Sequence, residues 1–203
     1  RGPVFGGCAV LTNQGDLISM ASEVGAKLDN LAHAWWAQAV LEEVLANPSP
    51  PTDIFAVPGD SMIEVNKYGQ RVMDEKAVYN ERTQVHFAWD PLKGEYPNLF
   101  LFMIYDERVA RIWGGGPLRS GYPIPSAGEQ NPYVIKGGNL EELTTALEAR
   151  LNKLASRTGK FRLDQSFLPN LKKTISRFNE YATKGVDEEF QRGEVPIDLA
   201  YNG

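Results

Sequence analysis

Leu17, Ala21, Val24 and Leu28 recur at helical spacing, which predicts a short amphipathic helix over residues 17–28 with Asp16 as its N-cap. Leu140, Leu143, Leu147, Leu151 and Leu154 form one stripe of a longer helix, and Asn139 with Glu142 three residues on supplies a capping box at its start. A further helix is predicted to begin near Asp164, to carry Leu171, Ile175, Phe178 and Ala182 on one face, and to stop at Gly185. Residues 61–66 alternate polar and apolar side chains, 67–70 read as a turn and 71–73 as a return, which predicts a β-hairpin. The apolar, aromatic run 99–105 suits a central buried strand. Pro48, Pro50 and Pro51 preclude a helix through 47–52, and a Gly/Pro-rich stretch runs from Gly114 to Pro132. Hairpin strands followed by trailing helices, rather than alternating strand–helix units, predict an α+β fold with a mixed, largely antiparallel sheet.

Composition narrows the function. A chain of 203 residues with 42% hydrophobic and 23% charged residues has the usage of a globular domain. Its net charge is -5 and its 21 Lys and Arg are dispersed, so no basic stripe exists for nucleic-acid phosphates. No apolar run approaches the roughly 18 residues of a membrane span, and no leader-like segment opens the chain, so a cytoplasmic location is expected. Cys8 is the single cysteine and reads as a small buried hydrophobe, while His33 and His86 lack metal-ligand spacing. No metal is expected.

Three segments carry more specific information. The first is Thr12-Asn13-Gln14-Gly15-Asp16 leading into the first helix and on to Gly25-Ala26. The second is Val65-Asn66-Lys67-Tyr68-Gly69-Gln70-Arg71-Val72-Met73-Asp74-Glu75, with Tyr79 four residues beyond Glu75. The third is Arg177-Phe178-Asn179-Glu180-Tyr181-Ala182, followed by Gly185, Asp187, Phe190 and Arg192-Gly193. In order and approximate spacing these resemble signatures of the flavoprotein family that includes fumarate reductases and 3-ketosteroid Δ1-dehydrogenases, and the resemblance covers nearly the whole chain. Val72 and Asp74 depart from the phenylalanine and asparagine usual in the second motif.

The resemblance implies the fold of the catalytic (cap) domain of such proteins, with residues 1–46 a junction to an FAD-binding domain and 47–203 the main body. It implies FAD in the whole protein but not on this chain. The strand–GxGxxG–helix fingerprint that grips a dinucleotide does not occur here, because Gly6-Gly7 and Gly114-Gly115-Gly116 lack its context. The FAD-binding domain is thus an expected partner, together with a hydrophobic small-molecule substrate.

The same resemblance places Asp16 near the flavin, with Asn13 and Gly15 as companions. A carboxylate at a helix start can accept a ribose or flavin hydrogen bond, or simply cap amides, and both readings stand. Tyr79 falls where fumarate reductases carry a proton-donating arginine and ketosteroid dehydrogenases a catalytic tyrosine. A neutral phenol donates a hydrogen bond unaided and acts as a base only where its neighbours favour the phenolate. The stretch 54–59, where fumarate reductases place a Glu-to-Arg relay, is apolar here, which argues against a small dianion. Trp35, Trp36 and Phe55, with Tyr68 and Phe87 or Trp89, instead suggest a wall for a hydrophobic ketone. Adjacent Trp35 and Trp36 cannot both face one core. The leading expectation is the cap of an oxidoreductase that dehydrogenates a carbon–carbon bond beside a ketone. The alternatives are reduction of another activated alkene, as in fumarate reductase-like proteins, and a non-enzymatic binding module.

Overall fold

The computed structural model describes residues 6–7, 9–31, 33–49, 54, 56–57, 59–115, 124–126 and 128–200. Helix α1 spans Asp16–Glu23 and α2 Leu41–Ala46. Strand β1, Met62–Val65, is followed by α3, Tyr79–Thr83, which runs straight into a 3-10 turn over Gln84–Phe87. Then come β2, Phe102–Tyr105, and α4, Glu107–Trp113. The C-terminal part is α5, Leu140–Leu154, α6, Phe167–Lys184, and α7, Pro196–Ala200. No helix among the described residues is long and apolar enough to cross a membrane.

β1 and β2 pair antiparallel, with Glu64 opposite Met103 and Val65 opposite Phe102, and form the two-stranded sheet of the described residues. Because side chains alternate, Ile63, Val65, Phe102 and Ile104 share one face and Met62, Glu64, Met103 and Tyr105 the other. The first face packs on the stripe of α5 and the apolar side of α6, where Leu147, Phe167 and Leu171 are buried. Phe100, Leu151 and Phe161 make an adjoining cluster. Burial of such side chains stabilises by about 1.5–3 kcal/mol each, so these helices hold the sheet in place.

Both long helices are punctuated as their sequences predict. The Asn139 side chain accepts the Glu142 N–H at 2.8 Å, while Glu142 accepts the Gly138 N–H at 2.9 Å. α6 ends at Gly185 in the left-handed conformation, where the Gly185 N–H bonds the Tyr181 carbonyl at 2.8 Å. It begins at Phe167 rather than Asp164, because the Asp164 carboxylate accepts the Ser166 N–H and holds the preceding residues in a turn.

Five expectations are corrected among the described residues. The sheet is a single antiparallel pair, smaller than the mixed sheet expected, and β2 is half-buried rather than central. The turn after β1 forms, but the return is one isolated bridge between Val65 and Arg71, since β2 occupies the pairing edge. α1 stops at Glu23. Its N-cap is Gly15 in the left-handed conformation, so Asp16 is already helical and makes no cap.

The turn itself explains the Val-Asn-x-x-Gly spacing. The Asn66 Oδ1 accepts the Tyr68 and Gln70 N–H groups, and its Nδ2 donates to Asn98 Oδ1 at 3.0 Å. Gly69 has φ +72, and a Cβ there would lie 2.3 Å from the Phe167 carbonyl oxygen, so α6 can approach only a glycine. The Asn170 and Thr174 side chains then donate to the Tyr68 and Gly69 carbonyls.

Candidate active site

A buried charge network fixes the segment that carries Tyr79. Arg71 donates from Nε and Nη2 to the two oxygens of Glu75, each at 2.8 Å, and from Nη2 to Asp187 at 2.8 Å. Its guanidinium lies 5.1 Å from the Phe178 ring and 5.0 Å from the Phe190 ring. Arg192 joins Glu75 at 3.2 Å and donates to the Met62 carbonyl at 2.7 Å. The conspicuous polar residues of the second and third motifs thus clamp β1, the following loop and the end of α6 to one another.

Four residues past Glu75, Tyr79 opens α3, and Thr83 and His86 follow on the same side. Arg82 donates to the Glu75 carbonyl at 3.2 Å and to the Ile54 carbonyl, which ties the helix to the network. Tyr79, Thr83 and His86 line one wall of a cleft of about 1600 Å³ whose lining is mostly apolar. Trp35 and Trp36 stand in the same cleft. The Trp35 ring is 6.3 Å from the Tyr79 ring, and Trp36 packs edge-on against Phe87 at 5.0 Å while its backbone N–H donates to Asn80 Oδ1 at 3.0 Å. Trp36 is half-buried, whereas Trp35 is 83% exposed. Residues of β2 and leucines of the α5 stripe complete the lining, so that stripe serves both core and cleft.

The other sequence-selected residues are distributed differently. Asn13, Gly15 and Asp16 are exposed and are not among the cleft-lining residues. Asn13 instead donates its N–H to the Val10 carbonyl at 3.0 Å. Leu17 and Val24 of this region are 72% and 83% exposed, so α1 makes no core of its own. Phe55 and Cys8 lie outside the described residues. Tyr68 does not reach the cleft; it donates to Glu95 beside Lys67, and Lys93 caps its ring at 3.8 Å. Trp89 packs on Tyr96.

Sequence reasoning missed a polar cluster in the cleft wall. Gln38 Nε2 donates to Glu64 Oε2 at 2.7 Å and lies 3.1 Å from His86 Nε2. Burial pushes the Glu64 carboxyl up, against the charge of Arg82 and the Gln38 hydrogen bond, and it pushes the His86 imidazole down. The available signal was a carboxylate inside an otherwise apolar strand. Lys76, also unforeseen, donates to the Val57 and Gly59 carbonyls at 2.6 Å, and burial with the nearby Arg192 charge brings it down to about 7.

Asp74, the residue that departs from the motif's asparagine, faces the buried Asp198. Burial, then the neighbouring Asp198 carboxyl, pushes Asp74 up to about 6. The fold therefore keeps a proton that the unfolded chain releases near pH 4. The contribution of this pair is present at low pH and lost as pH rises through about 6. Asp74→Asn should match the native chain near pH 4 and exceed it by about 1 kcal/mol at pH 7, a value reduced for solvent around a half-buried group. Urea denaturation at both pH values checks this, and a difference independent of pH would exclude the raised Asp74 carboxyl.

No family model matches the chain. It is 31% identical over 198 residues to the 3-oxosteroid 1-dehydrogenase of Mycolicibacterium smegmatis, covering 94% of this chain and 30% of that protein. It is 28% identical over 193 residues to the 4-oxocyclohexanecarboxylate 2-dehydrogenase of Sinomonas cyclohexanicum, again covering 94% and 30%. Among solved structures, 3-ketosteroid delta1-dehydrogenase from Sterolibacterium denitrificans, in complex with 1,4-androstadiene-3,17-dione, superposes with a TM-score of 0.65 at 21% identity, over 97% of this chain and 32% of that one. The chain spans about 30% of the length of the curated relatives it matches. Over that span it is a relative of the 3-oxosteroid 1-dehydrogenase and fumarate reductase flavoproteins.

Proposed function

We propose that this chain is the substrate-binding cap portion of an FAD-dependent oxidoreductase that removes hydrogen from a carbon–carbon bond next to a ketone in a hydrophobic substrate such as a 3-ketosteroid. The observation that carries the reading is Tyr79 on the wall of an apolar cleft, at the motif position that the Arg71–Glu75 clamp holds still. Apolar walls favour a rigid hydrocarbon skeleton by burying its surface, and the rings of Trp35 and Trp36 extend that surface beside Tyr79.

The strand–GxGxxG–helix fingerprint that grips a dinucleotide does not occur in this sequence, so in this reading the FAD is held chiefly outside this chain. Asn13, Gly15 and Asp16 are exposed and stand away from the cleft lining, so any contact they make with the flavin lies outside that cleft. What this chain supplies is binding, orientation and proton handling at the Tyr79 hydroxyl on a carbon adjacent to the ketone.

The test is to supply the full-length protein with a 3-ketosteroid and a soluble electron acceptor. The expected result is a new double bond beside the ketone with stoichiometric reduction of the acceptor. A protein that leaves the ketosteroid unchanged and instead reduces fumarate overturns the substrate assignment.

A further inference from the structure

Inside the cleft, the Gln38–Glu64–His86 cluster has hydrogen-bonding capacity that the fold leaves unused. The His86 Nδ1 lies 3.1 Å from the Leu99 carbonyl, which can only accept, so Nδ1 carries the proton and Nε2 of the neutral ring is an acceptor. That assignment fixes the Gln38 amide. Its Nε2 gives one hydrogen to His86 Nε2 and the other to Glu64 Oε2, and its Oε1 is buried with no hydrogen-bond partner. Gln38 is only 8% exposed, so an orphaned carbonyl there is costly. Beside it, the buried Glu64 accepts from Gln38 on Oε2 and fixes the amide's orientation. The cluster thus leaves one acceptor, Gln38 Oε1, unsatisfied. A hydroxyl group can donate to that oxygen; a carbonyl cannot.

Placement along the wall sets a distance. From Tyr79 to His86 the chain rises through α3 and the 3-10 turn, roughly 11 Å at 1.5–2.0 Å per residue. We infer that Gln38 and Glu64 form a second polar anchor that recognises a hydroxyl at the end of the substrate remote from the ketone, roughly 10 Å from the reacting carbon. The inference rests on the proposed ketone dehydrogenation and names which ketones the cleft prefers.

The test uses the full-length protein and three rigid polycyclic ketones that differ only at the remote end, bearing hydroxyl, carbonyl or hydrogen there. The hydroxylated compound should have a KM about tenfold below those of the carbonyl and deoxy compounds, with kcat nearly constant. Glu64→Leu should bring the three KM values together. Glu64→Gln, which keeps an acceptor for the Gln38 amide, should retain the preference. If Glu64→Leu does not fold, Gln38→Leu is read for the same loss of preference. Retention of the full preference in a folded leucine variant, or absence of any preference in the native protein, overturns the anchor. If none of the ketones is turned over, the proposed activity fails while the anchor is still judged, by whether the hydroxylated compound raises the melting temperature of the native protein more than the deoxy compound does and loses that advantage in the leucine variant.

Discussion

Tyr79→Phe in the full-length protein is expected to slow turnover by on the order of 10²–10⁴, the usual range for losing a general acid or base. The substitution removes one oxygen and keeps the ring, so the approach to Trp35 at 6.3 Å and the opening of α3 persist. Loss of a hydrogen bond at a half-buried hydroxyl costs only about 0.5–1.5 kcal/mol of stability. The two readouts therefore separate chemistry from packing. Single-turnover reduction of the bound flavin by a hydrophobic ketone gives the first, and thermal unfolding of both proteins gives the second. A phenylalanine variant that reacts at the native rate makes Tyr79 a structural aromatic and removes the proposed proton-handling group.

What could be read from the sequence was set by short-range physics. The Asn139–Glu142 spacing, the α6 stop at Gly185 and the turn at Asn66–Gly69 each depend on bonds spanning a few residues, and all three are present. Long-range pairing was not legible in the same way. Residues 71–73 have the pattern of a return strand, but β1 pairs with β2, whose first residue lies 37 positions beyond Val65 in the chain. Glu64 shows the same limit, because alternation assigns a polar residue to a wet face, whereas it is buried and bonded to Gln38 from a distant segment. The N-cap expected at Asp16 failed for a local reason instead, since Gly15 adopts the left-handed conformation and takes the capping position. Tyr79 was singled out by resemblance, four residues beyond Glu75; the structure has it lining the cleft, and Glu75 is pinned on both oxygens.

The same pinning makes Arg71→Ala the most damaging single change expected for the fold. The Arg71 and Glu75 side chains are 1% and 0% exposed, and Asp187 only 6%. Burial alone would raise the Asp187 carboxyl, but the hydrogen bond and charge of Arg71 outweigh it and hold the group below its ordinary value. Removing the guanidinium leaves two buried carboxylates with Arg192 as the remaining ion-pair partner, on one oxygen of Glu75, and empties the space between the Phe178 and Phe190 rings. Breaking a buried pair in this way costs about 3–5 kcal/mol, a large share of a typical domain stability of about 5–15 kcal/mol. Arg71→Lys keeps a charge without the planar fork and should fall between the two. The pH dependence carries a sign of its own. Because the folded Asp187 value is depressed, its contribution is full above the unfolded value near 4 and is lost as pH falls below it, so the gap between native and Arg71→Ala should narrow in acid. Urea unfolding of the three proteins at pH 7 and pH 3 measures both effects. An alanine variant within about 1 kcal/mol of the native protein at pH 7 would mean that the network is relaxed by water or by movement of α6, and that Tyr79 is held in place by something other than the Arg71–Glu75 clamp.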